Sequence, residues 1–289
     1  MAENKTTGRT RPIPDFASAA GLVLALGGIL AGLMLDGGKL ADVRQVNAAL
    51  IVFGGTIGAV ILSSPGSVLF SAVKKLRLLL FDVTRPLPAI LEEIIGYATK
   101  ARKQGIVSLE QEADAAADPF LRKALSLAVD GIDTNQIRSI MELEMDLCEQ
   151  QGDTEAKVFD AAGGYAPTIG IIGAVLGLIQ VMKNLSDIDA VGRGIASAFV
   201  ATVYGVASAN LFFLPAGEKL RARVRSANRA QALMLEGVLA IAEGLNPKLI
   251  RTKLDAYLLG SPHPQRVAKP AAAAQPTLES PARPATVEN

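Results

Sequence analysis

One cysteine, Cys148, and one histidine, His263, are all that a chain of 289 residues carries of either type. A lone thiol excludes an internal disulfide framework, and so few sulfur and imidazole groups exclude a structural metal cluster. No metal or cofactor is expected. Cys148 falls within a helical pattern, where packing is its expected role, and His263 lies in a Pro/Ala-rich tail, where it should simply be solvated. Charge is missing on a larger scale. No Asp, Glu, Lys, Arg or His occurs in residues 17–35, 48–73, 161–182 or 194–217. Each run is long enough to cross a hydrocarbon layer of about 30 Å. A soluble core helix of that length would show a polar residue every third or fourth position, and these runs do not. The first run is too long for the hydrophobic region of a signal peptide, and Leu33, Met34 and Leu35 make no small-residue cleavage site, so it should remain as a span.

The cations are placed as a topology signal. Lys5, Arg9 and Arg11 precede the first span, Lys74, Lys75, Arg77 and Arg85 follow the second, and Lys219, Arg221, Arg223, Arg225 and Arg229 follow the fourth. By the positive-inside rule these three regions are cytoplasmic, both termini included, and the short connections 36–47 and 186–192 face outward. With topology accounting for the basic residues and a net charge of +1, no nucleic-acid partner is expected.

Between spans two and three the chain is amphipathic and helical. Ser108 to Gln111 has the form of a capping box that starts a helix. Asp118 before Pro119 is a second start signal, Gly131 a stop, and from Thr134 onward one helix is expected to run on into span three, with Gly152 a weak point. Helical spacing resumes after span four. The expected fold is all-α: four transmembrane helices, the third and fourth extended into a helical cytoplasmic domain. The expected divisions are a cytoplasmic N-terminus 1–16, spans one and two in 17–73, a cytoplasmic domain 74–160, spans three and four in 161–217, a cytoplasmic helix 218–259 and a disordered tail 260–289, whose composition cannot repay the entropy of folding.

Within the spans, small residues recur at four-residue spacing: Gly28 and Gly32, Gly54 and Gly58, Gly173 and Gly177, then Ala201, Gly205 and Ala209. This spacing lets helix backbones approach closely in lipid. Pro167 and Pro215 interrupt spans three and four, and each deprives a carbonyl, of Gly163 and of Leu211, of its helical donor. Tyr165, Thr168, Thr202, Tyr204, Ser208 and Asn210 lie near them and are expected to face a wet crevice with the freed carbonyls. None of these groups fixes a charge in a membrane as a carboxylate or histidine does. Either the chain moves no ions, or a second protein supplies the titrating group.

The run GGYAPTIGIIGAVLGLIQVM from Gly163 to Met182, followed by AFVATVYGVASANLFFLP from Ala198 to Pro215, resembles the paired signature of the A-type stator subunits of the bacterial flagellar motor. The likeness extends over residues 15–258. It implies an inner-membrane subunit forming a five-membered ring around a B-type partner, whose single span carries the ion-binding Asp and whose outer domain grips peptidoglycan. It further implies that ion flow drives torque on the flagellar rotor and swimming motility, with no enzymatic activity. One charge crossing the membrane releases about 2.3 kcal/mol per 100 mV, comparable to coupling energies of about 1–3 kcal/mol. On this resemblance Pro167 and Pro215 couple ion passage to conformational change, with Thr168, Thr202 and Tyr204 along the path, and Arg102 and Glu110 contact the rotor. Sodium-driven relatives carry Thr where this sequence has Ala174 and Ala201, so the implied ion is the proton.

Three other readings compete. An energiser of outer-membrane import or envelope maintenance has three spans, against four here. A secondary transporter would place charged groups between repeated broken helices at the midplane, and no such repeat is visible. A membrane scaffold predicts that replacing either proline leaves motility intact.

Overall fold

The computed structural model of the chain describes residues 13–76, 81–82 and 85–258. Lys5, Arg9, Arg11, Arg77 and the tail with His263 lie outside the described residues. The fold is all-α apart from a two-residue antiparallel pairing of Ile13–Pro14 with Phe81–Asp82. Among the described residues, four helices are long and apolar enough to cross a membrane.

Helix α1 (Phe16–Leu35) starts where the Asp15 carboxylate accepts the Ser18 N–H at 3.2 Å. None of its residues 18–35 is buried against the rest of the chain. The second span begins as α2 (Val46–Ala49), widens into a π-turn at Leu50–Gly54 and continues as α3 (Gly55–Ser63). There it stops. A residue before proline is pushed to extended backbone, and Ser64, ahead of Pro65, sits at φ −127°, ψ 139°. A separate helix, α4 (Gly66–Lys75), follows. The uncharged run 48–73 therefore comprises a span ending at Ser63 and a second helix, a break that apolar composition conceals.

Next come α5 (Leu87–Gln104), a 3-10 turn at Ile106–Leu109, α6 (Glu110–Ala115) and α7 (Pro119–Val129). Asp118 caps α7 as expected, accepting from the N–H groups of Phe120 and Leu121 at 2.9 and 3.4 Å. Gly131, at φ 74°, turns the chain beyond its end. The capping box does not form. Gly105, at φ 83°, leads directly into the 3-10 turn, and the Ser108 hydroxyl donates back to the Gly105 carbonyl at 2.7 Å instead of capping α6.

Helix α8 (Thr134–Lys183) is 50 residues long, about 75 Å at 1.5 Å per residue. After a short turn, α9 (Ile188–Ser208), a π-turn at Ala209–Phe213 and α10 (Leu214–Ala242) form a second rod of 55 residues. The helix expected over 218–259 is broken after Ala242, and α11 (Pro247–Leu258) restarts where the Asn246 side chain accepts the Lys248 N–H.

Outside the spans, α5, α7, α11 and the near ends of α8 and α10 share a core that includes Ile90, Ile94, Leu121, Leu125, Ile137, Met141, Leu233, Leu239 and Ile250. Each such burial contributes about 1.5–3 kcal/mol. The spans are held differently. Gly170, Gly173 and Gly177 of α8 meet Ala198, Ala201 and Gly205 of α9 at close distance, whereas Gly28, Gly32, Gly54 and Gly58 face open space among the described residues. Of the four small-residue series, only those of spans three and four are used internally.

Candidate functional site

Both prolines lie where two long rods cross the boundary between apolar and charged sequence. Pro167 is inside α8 and half-buried; Pro215 is exposed in the first turn of α10, directly after a π-turn in which the Leu214 N–H donates to the Ala209 carbonyl five residues back. The two positions are linked through one residue. Gly163, whose carbonyl Pro167 leaves without its helical donor, is the surface on which the Leu214 side chain packs, next to Pro215. A further contact closes the pair of spans: a Cβ at Gly205 would lie 2.5 Å from the Ala166 carbonyl oxygen, one residue before Pro167.

The polar residues near the prolines make no side-chain hydrogen bonds to one another among the described residues. Thr168 donates to the Tyr165 carbonyl, Thr202 to Ala198, Ser208 to Gly205 and Asn210 to Val206, each on its own helix. Thr168 and Asn210 are exposed and Thr202 half-buried. Tyr204 is placed elsewhere. Its hydroxyl donates to the Val43 carbonyl and accepts the Gln45 N–H at 3.3 Å, and its ring stacks on Phe53 at 6.0 Å. It ties span four to the connection ahead of span two, whose start at Gln45 has no side-chain cap. Arg102, in the last turn of α5, and Glu110, in the first turn of α6, are both exposed, and neither has an ion-pair partner among the described residues.

Just beyond the prolines the rods are joined by charge. Arg221 of α10 donates to Asp160 and to Asp153 of α8, and also contacts Glu218 at 3.0 Å. The Asp160 hydrogen bond, above all, raises the Arg221 pKa further. Glu155 of α8 is 1% exposed and takes the Lys75 ammonium at 2.5 Å, the Ser71 hydroxyl and the Gln151 amide at 3.1 Å. Burial pushes its carboxyl up, but the hydrogen bonds from Lys75, Ser71 and Gln151 outweigh burial and hold it below the ordinary glutamate value. At the head of α1, Asp15 receives Lys219 and Arg223 of α10, and the Lys219 hydrogen bond, followed by that from the Ser18 N–H, lowers its pKa. Apart from the Arg221–Glu218 contact within one turn, these acids and bases lie from 61 to 208 residues apart in the sequence, so no local spacing reveals those pairings. Among the described residues no group of His, Cys, Asp and Glu is arranged to hold a metal ion.

Comparison with known proteins identifies the architecture. Residues 112–231 match the MotA/TolQ/ExbB proton channel family, and residues 19–97 the motility protein A N-terminal family. Motility protein A of Bacillus subtilis (strain 168) is 35% identical over 248 residues, which cover 84% of this chain and 91% of that protein. Chemotaxis protein PomA of Vibrio alginolyticus is 31% identical over 245 residues, covering 84% and 94%. The structure of C. jejuni MotAB superposes with a TM-score of 0.81 at 31% identity, over 88% of this chain and 99% of that one. The flagellar MotAB stator complex from Bacillus subtilis gives 0.80 at 33% identity, over 84% and 96%. Four apolar helices, two of them continued as long charged rods, together with these matches along nearly the whole length of the relatives, place the chain in the motility protein A family, the A-type stator subunits of the flagellar motor.

Proposed function

We propose that this chain forms the responsive wall of a proton path in the inner membrane, and that the titrating acid on that path belongs to a second, one-span B-type subunit. A single observation carries the reading: residues 161–182 and 194–217, which bear both prolines, contain no Asp, Glu, Lys, Arg or His. A proton crossing hydrocarbon needs a group to hold it. The two structural relatives are MotAB complexes, which supports an assembly of an A-type chain with a B-type chain. Five A-type copies around the partner, and both termini in the cytoplasm, complete the arrangement.

In this reading a proton arriving at the partner's acid alters the contact around Pro167. Gly163 and Leu214 pass the change to α10 beside Pro215, and the Arg221–Asp160 bridge moves the two rods as one body. At the far end Arg102 and Glu110, exposed and without ion-pair partners among the described residues, meet the rotor. Tyr204 acts as a tie to the outer connection and not as an ion ligand. Pro167→Ala and Pro215→Ala test the reading: each should insert and assemble in the membrane at the wild-type level and abolish swimming. Normal swimming in both variants would leave only a scaffold.

A further inference from the structure

The geometry points to the exposed face of α4 as a seat for phospholipid, with acyl chains against Phe70 and Val73 and an anionic headgroup at Lys74. The helix has two unlike faces. Ala72 is fully buried, and Val68, Leu69 and Leu76 pack with it on the cluster of Ala156, Phe159, Ala216 and Leu220. Opposite, Phe70 is 75% exposed and Val73 59%, beside Lys74, which has no ion-pair partner among the described residues.

Charge fixes the depth of this face. Ser71 and Lys75 bind Glu155 of α8, and Gly217 of α10 lies against Ala156 and Phe159, just past Glu155 on the same helix. Two residues past Gly217, Lys219 holds Asp15 at the start of α1. Asp15, Glu155, Lys75, Asp160 and Arg221 therefore form a belt of ionic groups around the rods at the height of α4, and hydrocarbon cannot extend past it without enclosing them. Phe16, 76% exposed at the head of α1, stands at the same height. Cations at the end of a span reach the headgroup level, so the apolar side chains beside them, Phe16 and Phe70, lie at the upper edge of the acyl chains. Apolar exposure is found on both sides of the break: Ile57, Ile61 and Leu62 of α3 are exposed ahead of Pro65, and Phe70 and Val73 of α4 beyond it. Lys74 in the last turn of α4 supplies the complement to an anionic headgroup, worth about five-fold in local enrichment per basic residue near a charged surface, the equivalent of ~1 kcal/mol. That the leaflet is the cytoplasmic one rests on the orientation proposed above, whereas the depth of the face does not.

The chain has no tryptophan, so Phe70→Trp reports from one place. The full chain carrying it is reconstituted in nanodiscs of phosphatidylcholine and phosphatidylglycerol, with either lipid brominated high on the acyl chain or near its end. Expected are strong quenching by the high bromines, weak quenching by the low ones, and a preference for brominated phosphatidylglycerol that falls about five-fold on adding Lys74→Gln. Absence of quenching would mean that protein, such as a second copy of the chain, covers the face, and would overturn the proposal. So would stronger quenching by the low bromines, which places α4 in the bilayer interior, or an anionic preference unchanged by Lys74→Gln. Either insertion orientation gives the same quenching, so failure here is separable from failure of the proposed topology. Phe70 and Lys74 are exposed, and an unchanged melting temperature verifies that both variants fold.

Discussion

Gly205→Ala adds one methyl group at the tightest backbone contact between spans three and four. The new Cβ would sit 2.5 Å from the Ala166 carbonyl oxygen and 3.1 Å from the Gly170 Cα. Carbon–oxygen contacts settle at about 3.3–3.6 Å, so α8 and α9 must separate by roughly 0.8 Å or more. No side chain can rotate aside, because the obstacles are backbone atoms on the opposing helix. Overpacking of this kind costs about 1–3 kcal/mol, and here the displacement falls beside Pro167. Gly96→Ala is the matched control. Gly96 lies exposed within α5 with nothing near its missing Cβ, so the same methyl should stabilise the chain by about 0.5–1 kcal/mol through helix entropy. Thermal unfolding of both variants in detergent micelles, with swimming speed measured in cells, reads the pair. The expected result is a lower melting temperature and slow or absent swimming for Gly205→Ala, against a slightly higher melting temperature and normal swimming for Gly96→Ala. If Gly205→Ala melts and swims like the wild type, close approach of these two spans is not what positions Pro167.

Tyr204→Phe keeps the ring against Phe53 but deletes both hydrogen bonds to the outer connection, each worth about 0.5–1.5 kcal/mol. Amide exchange at Gln45 and its neighbours should accelerate while ion preference stays the same; a changed ion preference with unchanged exchange would restore Tyr204 to the ion path. Glu155 has a folded pKa below its ordinary 4.5, so its contribution to stability is complete above that pH and is lost as pH falls through the folded value. Glu155→Gln should destabilise the chain at neutral pH and flatten the acid limb of its melting profile, and an unaltered profile would contradict the Lys75 pairing. Arg102→Glu and Glu110→Lys, both at exposed positions, should each change stability by no more than about 0.5 kcal/mol while reducing swimming; normal swimming in both would remove these residues from the rotor contact.

What the sequence makes legible here is set by how local the cause is. Absence of charge over some twenty residues is a property of each span alone, and the spans can be read from it. The Asp118–Pro119 start works the same way, since the carboxylate and the N–H groups it caps are two and three residues apart. The end of span two is equally local. Pro65 forces Ser64 out of the helix, but an unbroken apolar composition hides the stop. Ser108 shows the opposite failure: its spacing to Gln111 is right for a capping box, yet the chain turns at Gly105, with positive φ, into a 3-10 turn in which the hydroxyl donates to the Gly105 carbonyl instead of accepting a backbone N–H. Tyr204 and Glu155 are beyond local reading altogether. Ser71 lies 84 residues from Glu155 and Val43 lies 161 from Tyr204, and only the stacking of the rods against the first spans brings them together. At the candidate site, the prolines declare themselves by type and place, whereas the Gly163–Leu214 contact that joins them exists only in three dimensions.

Proton conductance of the chain in sealed vesicles, measured alone and then with a B-type subunit, tests the division of labour most directly. The account predicts no steady current from this chain by itself, a current when the two are reconstituted together, and its loss when the partner's membrane Asp is replaced by Asn. A steady, proton-selective current through this chain alone would contradict it.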